Sequence, residues 1–112
     1  METSAELKQY IDVEDGLKRV GGNMGLYKKL LQRFVEGNYY EAVCTCLQGG
    51  DMDGAVAAAH TIKGVGANLS LVKVAAKSLE LEMCLKNGQE YSESLSGLQA
   101  AVTDTIALIP DI

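Results

Sequence analysis

The sequence predicts an all-α protein, an antiparallel up-down four-helix bundle with one or more additional short N-terminal helices that cover one end. Alanine, leucine and valine are the most frequent apolar residues among the 112, which include one proline and no tryptophan, and β-rich stretches are lacking. Apolar residues recur instead at helical spacing, between short polar or glycine-containing connections. Because short connections join helices that run in opposite directions, neighbouring helices should be antiparallel.

Length and charge set the bounds on domain organisation and partners. We expect residues 1–10, which are mostly polar, to form a flexible N-terminal segment, and residues 11–112 to form one domain. The net charge of −5 argues against nucleic acid or an anionic membrane as the main partner. The chain has no apolar run long enough for a membrane span and no basic region followed by an apolar one at its start, so we expect a cytoplasmic protein.

Two helical segments precede the main helices. Asp12 should cap a short helix that runs to Val20, before Gly21-Gly22. Asn23 is the next plausible cap, and Gly37-Asn38 indicates a bend or break in the chain. The aromatic pair Tyr39-Tyr40 that follows is expected to pack at this bend rather than to form a stacking site for a ligand.

Four main helices follow from the apolar spacing. Their predicted ranges are Tyr39 to Leu47 (with an extension back toward Asn23 left open), Asp51 to Gly66, Ser70 to Asn87, and Tyr91 to Ile109. Asp51 and Ser70 are the predicted caps, and Pro110 ends the last helix. In that helix the apolar stripe is Leu95, Leu98, Val102, Ile106 and Ile109.

The third main helix is expected to bury one stripe and to expose a charged face. The predicted buried stripe is Val72, Ala75, Ala76, Leu79 and Met83, and Met24 and Met83 are expected to fill gaps in the core. Glu80, Glu82 and Lys86 are interpreted as a solvated face. Lys73 and Lys77 are interpreted as ordinary surface lysines, with contact to an acidic partner as the alternative.

The three cysteines do not predict a disulfide framework or a metal site. Cys44 and Cys46 are two residues apart on a predicted helix, so their side chains point to different sides. A zinc site made of these two, Cys84 and His60 matches no usual ligand spacing. We therefore expect no metal and treat the cysteines as free thiols that act as small apolar residues.

The only histidine of the chain, His60, lies opposite the apolar stripe of its predicted helix. That stripe consists of Ala55, Ala58, Ala59, Ile62, Val65, Gly66 and Leu69. The residues that share the histidine's side of the helix are small or apolar apart from one lysine: Val56, Ala57, Lys63, Gly64 and Ala67. Because glycine is unfavourable inside a helix, Gly64 suggests that the surface beside His60 must stay open to another protein. We expect this docking surface to consist of Val56, Ala57, Gly64 and Ala67.

An exposed neutral imidazole is a good nucleophile for a transferable group. Hydrolysis would also require a second nucleophile, an orienting carboxylate and oxyanion donors, and the histidine helix supplies none of these. Lys63 adds positive charge one helical turn away, where a phosphoryl group on His60 would lie. These features favour phosphoryl transfer.

The glycine-rich stretches do not indicate a nucleotide site. Neither Gly21-Gly22-Asn23-Met24-Gly25 nor Gly64-Val65-Gly66 follows a strand, and no GxxxxGK[ST] motif occurs. A cluster of carboxylates that could bind magnesium is also missing near His60. We therefore expect a phosphotransfer carrier that has no ATP site, metal site or cofactor of its own, rather than an enzyme.

Two motifs resemble the histidine-containing phosphotransfer (HPt) domains of two-component phosphorelays. The first is Ala59-His60-Thr61-Ile62-Lys63-Gly64 with Ala67-Asn68-Leu69. The second is Gly16-Leu17-Lys18-Arg19-Val20-Gly21-Gly22-Asn23 with Leu26-Tyr27, Leu30-Leu31 and Phe34. The resemblance extends from about Ile11 to Ile109. This chain has Ser70 where the family pattern often has glycine, which concerns only the local turn.

The resemblance implies that His60 is the phosphorylated residue, that Lys63 supports the phosphoryl group and that Gly64 lets a receiver domain dock. The partners would be receiver domains of response regulators or hybrid sensor kinases, which would supply the magnesium, and the family includes mostly monomers. Two alternatives remain. The domain is phosphorylated directly by the ATP-binding domain of a chemotaxis-type kinase, or it is a helical interaction module in which His60 has no role.

Overall fold

The computed structural model describes residues 7–112, and all of its regular structure is helical. Residues 7–10 are helical and are followed by six α-helices and a terminal 3₁₀ turn. These are α1 (Val13–Arg19), α2 (Met24–Glu36), α3 (Tyr39–Gln48), α4 (Met52–Asn68), α5 (Val72–Lys86), α6 (Ser92–Leu108) and the 3₁₀ turn Ile109–Asp111. The described residues contain no strand, so the all-α prediction is confirmed.

Helices α3 to α6 make up the body of the protein. Helix α4 packs against both α3 and α5, and α6 packs against α5 and also contacts α3. The contacts therefore link four consecutive helices into a ring. Helices α1 and α2 pack on each other and cover the end at which α4 turns into α5.

Three predicted helix caps are confirmed. The side chains of Asp12, Asn23 and Asp51 each accept a hydrogen bond from the backbone N–H group three residues further along the chain. Each bond satisfies one of the N–H groups that have no partner inside their own helix. Helices α1, α2 and α4 therefore each begin at the residue after the predicted cap.

Ser70 is not the cap of α5, contrary to the prediction. Leu71 occupies the cap position without a side-chain hydrogen bond. Ser70 has a positive φ of 57°, in the left-handed region that glycine adopts most readily. Its hydroxyl donates a hydrogen bond to Asp15, and its carbonyl accepts one from the N–H of Asp12. These contacts with the N-terminal segment stabilise a conformation that serine otherwise disfavours.

The predicted break between α2 and α3 is present, so the first main helix does not extend back to Asn23. Asn38 has a φ of 53°, which no α-helix tolerates in its interior. Directly after it, the ring of Tyr39 stacks on Phe34, with 5.7 Å between the ring centroids. The expectation that the aromatic pair packs at the bend is thus confirmed for Tyr39.

The predicted buried stripe of α5 is wrong. Its apolar members Val72, Leu79 and Met83 are exposed, and the buried residues are Val74, Ser78, Leu81, Glu82 and Leu85. Both sets repeat at helical spacing, and the observed face includes two polar residues that the sequence pattern gave no reason to bury. Ser78 is accommodated because its hydroxyl donates to the carbonyl of Val74 at 2.7 Å.

Two smaller expectations concern methionine and lysine side chains. Met24 and Met83 lie at the surface and do not fill gaps in the core. Lys73 and Lys77 have intramolecular partners: the Lys73 ammonium lies 4.2 Å from the centroid of the Tyr10 ring, and Lys77 lies 3.5 Å from Glu80. Both lysines therefore have partners within the chain, which is compatible with their interpretation as ordinary surface lysines.

The N-terminal segment is tied to the body of the protein. Ile11 is buried and forms an antiparallel bridge with Leu71, and the hydroxyl of Tyr10 lies 3.4 Å from Asp104. Ordered structure thus begins before Ile11, the predicted domain boundary. The rest of the predicted flexible segment, residues 1–6, lies outside the described residues.

Tyr27 anchors α2 to the end of α4. Its side chain is fully buried, and its hydroxyl donates a 2.7 Å hydrogen bond to the carbonyl of Leu69. Burial, together with the charges of Asp12 and Asp15, raises the pKa of Tyr27 to about 12, so the hydroxyl remains a donor at neutral pH.

We predict that Tyr27→Phe lowers the free energy of unfolding by about 1–2 kcal/mol, because it leaves the buried Leu69 carbonyl without this donor. Urea unfolding at neutral pH measures the change. Tyr10→Phe is the matched control, since its 3.4 Å contact with Asp104 is exposed and its loss should cost less than about 0.5 kcal/mol. Equal losses in the two variants would contradict this interpretation.

Candidate functional site

Helix α4 presents His60 to the surface because its opposite face is fixed in the core. Ala55, Ala59, Ile62 and Gly66 are buried there, as the sequence predicts. Their small side chains allow neighbouring helices to come close. A Cβ atom at Gly66 would lie only 3.1 Å from the backbone nitrogen of Ala75 on α5. The buried face therefore sets both the rotation of α4 and its distance from α5.

One ring nitrogen of His60 is bound and the other is open. The side chain is 63 % exposed, and Nδ1 lies 3.0 Å from Oε2 of Glu82 on α5. An ionised carboxylate only accepts hydrogen bonds, so this contact places a proton on Nδ1. In the neutral ring, Nε2 then carries the lone pair, and among residues 7–112 it has no hydrogen-bond partner. The nucleophilic nitrogen thus points to solvent.

Glu82 is the buried centre of a charged cluster and not part of a solvated face. It is only 3 % exposed. Besides His60, it contacts the ammonium of Lys63 at 3.2 Å through Oε1 and that of Lys86 at 3.1 Å through Oε2. Burial alone raises the pKa of Glu82, but the bonds from Lys86, His60 and Lys63 outweigh it and lower the pKa to about 2. The carboxylate is therefore ionised at neutral pH.

Glu82 and Lys86 belong to the site, although the sequence did not predict them as site residues. Their spacing of four residues indicates a pair on one helix, but such pairs are common on solvated faces. What marks Glu82 is its contact with His60 and Lys63, which depends on how α5 lies against α4. That register is a tertiary property, and only the weak observation of a carboxylate within an otherwise apolar face could have suggested it.

The predicted docking residues lie on the same face as His60. Ala57, Gly64 and Ala67 are exposed, whereas Val56 is half-buried against the core. A Cβ atom at Gly64 would meet nothing within 4 Å, unlike one at Gly66. The fold therefore gives no reason for glycine at position 64, and the open surface beside the imidazole is available for another purpose.

The site is an open surface and not a pocket. A cavity of about 560 Å³ lies beyond it, between α1, α2 and the C-terminal end of α4, with Leu30, Phe34, Val65 and Leu69 in its wall and His60 outside it. An exposed nucleophile without a pocket does not enclose a small substrate. The group that reacts with His60 is better delivered on the surface of another macromolecule.

The described residues hold neither a metal-binding cluster nor a helix that could span a membrane. No cluster of three or more His, Cys, Asp or Glu side chains among residues 7–112 is placed to hold a metal ion. Cys44, Cys46 and Cys84 are free and half-buried. Each helix in this part of the chain is too short or too polar to span a lipid bilayer.

Comparison with known protein families places most of the chain in one family model. The family model described as the Hpt domain matches residues 25–109, which include the whole charged cluster around Glu82. No curated protein and no solved structure matches the chain.

We predict that Glu82→Gln lowers the free energy of unfolding by on the order of 2 kcal/mol at pH 7, because three cationic or proton-donating groups lose their anion. The folded-state pKa of about 2 lies below the ordinary value of 4.5. The carboxylate's contribution is therefore complete above about pH 4.5 and is lost as the pH falls toward 2.

Urea unfolding of wild type and variant between pH 7 and pH 2.5 checks this. The difference between them should shrink below pH 4.5. Glu80→Gln, which removes only an exposed pair with Lys77, should stay within about 0.5 kcal/mol of wild type throughout. A Glu82→Gln difference that is independent of pH would contradict the role of the carboxylate charge.

Proposed function

Because the chain belongs to the Hpt domain family, whose members carry out histidine phosphotransfer in two-component signalling, we propose that it is a phosphorelay intermediate. His60 accepts a phosphoryl group from an aspartate of one receiver domain and passes it to an aspartate of another. The observation that carries this proposal is the exposed ring of His60, whose Nδ1 is held by the buried Glu82 carboxylate.

The contact between His60 and Glu82 prepares the imidazole for this reaction. The lone pair of Nε2 attacks the phosphorus of the receiver's aspartyl phosphate, and the bond between phosphorus and the aspartate oxygen breaks. The aspartate leaves as a carboxylate, and Nδ1 keeps its proton. Because the phosphorylated ring is positively charged, the Glu82 carboxylate stabilises it through the same 3.0 Å contact. Transfer to the second receiver is the reverse of these steps.

Lys63 supports the phosphoryl group in this scheme. Lys63 follows His60 by about one helical turn, and its ammonium lies 3.2 Å from Glu82 and is partly open to solvent. Phosphoryl transfer depends mainly on positioning and on neutralisation of charge, which a flexible ammonium near the reacting group provides. Magnesium and the acidic side chains that bind it come from the receiver, so this chain needs no cofactor of its own.

The surface around His60 suits a protein partner. Ala57, Gly64 and Ala67 are exposed and carry no side chain larger than a methyl group, so a partner's backbone can approach the imidazole closely. Small and apolar groups around a polar centre are typical of surfaces that bury against another protein. The receiver domain is expected to cover this face during transfer.

Transfer from a receiver to His60 tests the proposal directly. A receiver domain is labelled by a small phosphodonor and incubated with wild type and with His60→Gln. We expect acid-labile, alkali-stable label on wild type and at least a 100-fold loss in the variant, because its amide is not a nucleophile.

The other possible functions give different outcomes. Label from a kinase ATP-binding domain but from no receiver would indicate direct phosphorylation. No label from either donor, with partner binding unchanged in His60→Gln, would indicate an interaction module and would overturn the proposal.

Substitutions at Gly64 should affect the docking of a receiver domain without impairing folding. We predict that Gly64→Ala raises the free energy of unfolding by about 1 kcal/mol, since alanine is the better helix former and its Cβ meets nothing within 4 Å. Gly64→Gln should be at least as stable as wild type. It should slow phosphoryl transfer from the receiver by about tenfold or more, because the glutamine side chain displaces the docked partner.

Thermal unfolding and the rate of label transfer measure the two effects. Ala100→Gln is the control, because it places the same glutamine side chain at an exposed position on α6 and should leave the transfer rate unchanged. A transfer rate in Gly64→Gln equal to that of the control would show that the partner does not approach over this residue.

A further inference from the structure

Lys86 has no assigned role, yet it contacts the same carboxylate oxygen as His60. Its ammonium lies 3.1 Å from Oε2 of Glu82, and Nδ1 of His60 lies 3.0 Å from that oxygen. Lys63 already contacts the other oxygen, Oε1. One lysine is enough to neutralise the carboxylate, so the second leaves the cluster with a surplus positive charge.

The exposure of Lys86 makes its ammonium available to a second anion. Its side chain is 56 % exposed, compared with 32 % for Lys63. An ammonium has three N–H donors, and Glu82 takes one of those of Lys86. The four-carbon stem is flexible, so the ammonium can reorient while its backbone stays fixed in α5.

We propose that Lys86 is a second phosphoryl-binding residue, which together with Lys63 holds the phosphoryl group on Nε2 of His60. This inference rests on the proposed function of His60. Glu82 keeps both ammonium groups beside the imidazole before the reaction, and they turn toward the phosphoryl oxygens once the group has been transferred. The carboxylate stays bound to the Nδ1–H group of the phosphorylated ring.

A count of charges supports this assignment. Before transfer, neutral His60, ionised Glu82 and the two lysines have a total charge of plus one. Transfer adds a doubly negative phosphoryl group and leaves a positive ring, so the cluster becomes neutral. With Lys63 alone the same step would leave one uncompensated negative charge beside the buried Glu82, which Coulomb repulsion disfavours.

The test uses phosphoramidate, which phosphorylates histidine without a receiver domain. ³¹P NMR then follows the pH titration of the phosphoryl group in wild type, Lys86→Gln and Lys86→Arg. We expect Lys86→Gln to raise the phosphoryl pKa by about half a unit to one unit, and Lys86→Arg to restore it, because a nearby cation favours the doubly negative form. Lys77→Gln, on the same helix but paired with Glu80, is the control and should match wild type.

A double-mutant cycle with Glu82→Gln separates direct binding from positioning. If Lys86 binds the phosphoryl group itself, the effect of Lys86→Gln persists in the Glu82→Gln background. An effect that disappears there, or a titration of Lys86→Gln equal to wild type, overturns the proposal.

Transfer from a labelled receiver provides the second measurement. The fraction of label on His60 at equilibrium should fall about three- to tenfold in Lys86→Gln and should be unchanged in Lys77→Gln. If phosphoramidate labels the wild-type chain but no receiver domain does, the proposed relay function is overturned and the role of Lys86 is not. If the fraction of label on His60 at equilibrium is the same in Lys86→Gln as in wild type, only the role of Lys86 is overturned.

Discussion

The carboxylate of Glu82, buried between α4 and α5, is the interaction on which the site depends. A buried charge without partners is strongly unfavourable, so Glu82 requires His60 and Lys63 from α4 as well as Lys86 from its own helix. If α5 moved along α4 by one turn, the contacts with α4 would be lost. The charged cluster therefore both fixes the register of the two helices and holds the imidazole in its reactive tautomer.

Two glycines of α4 show how packing and function divide along one helix. Gly66 faces α5, where even a methyl group would press against the backbone of Ala75, so its small size brings the two helices together. Gly64, two residues earlier, faces open space. Gly66 lets α5 come close enough for Glu82 to reach His60, and Gly64 leaves the surface beside the ring without a side chain. The same residue type serves two purposes because the helix turns it toward different surroundings.

At the end of the protein where α4 turns into α5, polar contacts add to the buried packing of Tyr27 and Ile11. Ser70, in a left-handed conformation between α4 and α5, is bonded to Asp12 and Asp15 of the N-terminal segment. The hydroxyl bond from Ser70, followed by that from Arg19, lowers the pKa of Asp15, which keeps the acceptor ionised. These contacts fix the start of α5, and with it the position of the helix that provides Glu82.

Much of the helical architecture could be predicted because its signals are local. A capping side chain such as Asp12, Asn23 or Asp51 acts on the N–H group three residues away, and a left-handed residue such as Asn38 interrupts its own helix. The face of α4 was also predictable. Its buried residues Ala55, Ala59, Ile62 and Gly66 lie on the predicted stripe, and His60 lies on the other side.

The sequence by itself therefore determined the helices, the exposed position of the single histidine and the small residues around it. Only the tertiary structure decided which face of α5 is buried, because two stripes of that helix repeat at the same spacing and packing against α4 and α6 selects one. The same packing brought Glu82 and Lys86 to His60. A carboxylate's burial depends on cations from another helix, and no local pattern encodes the register that places them within 3.2 Å.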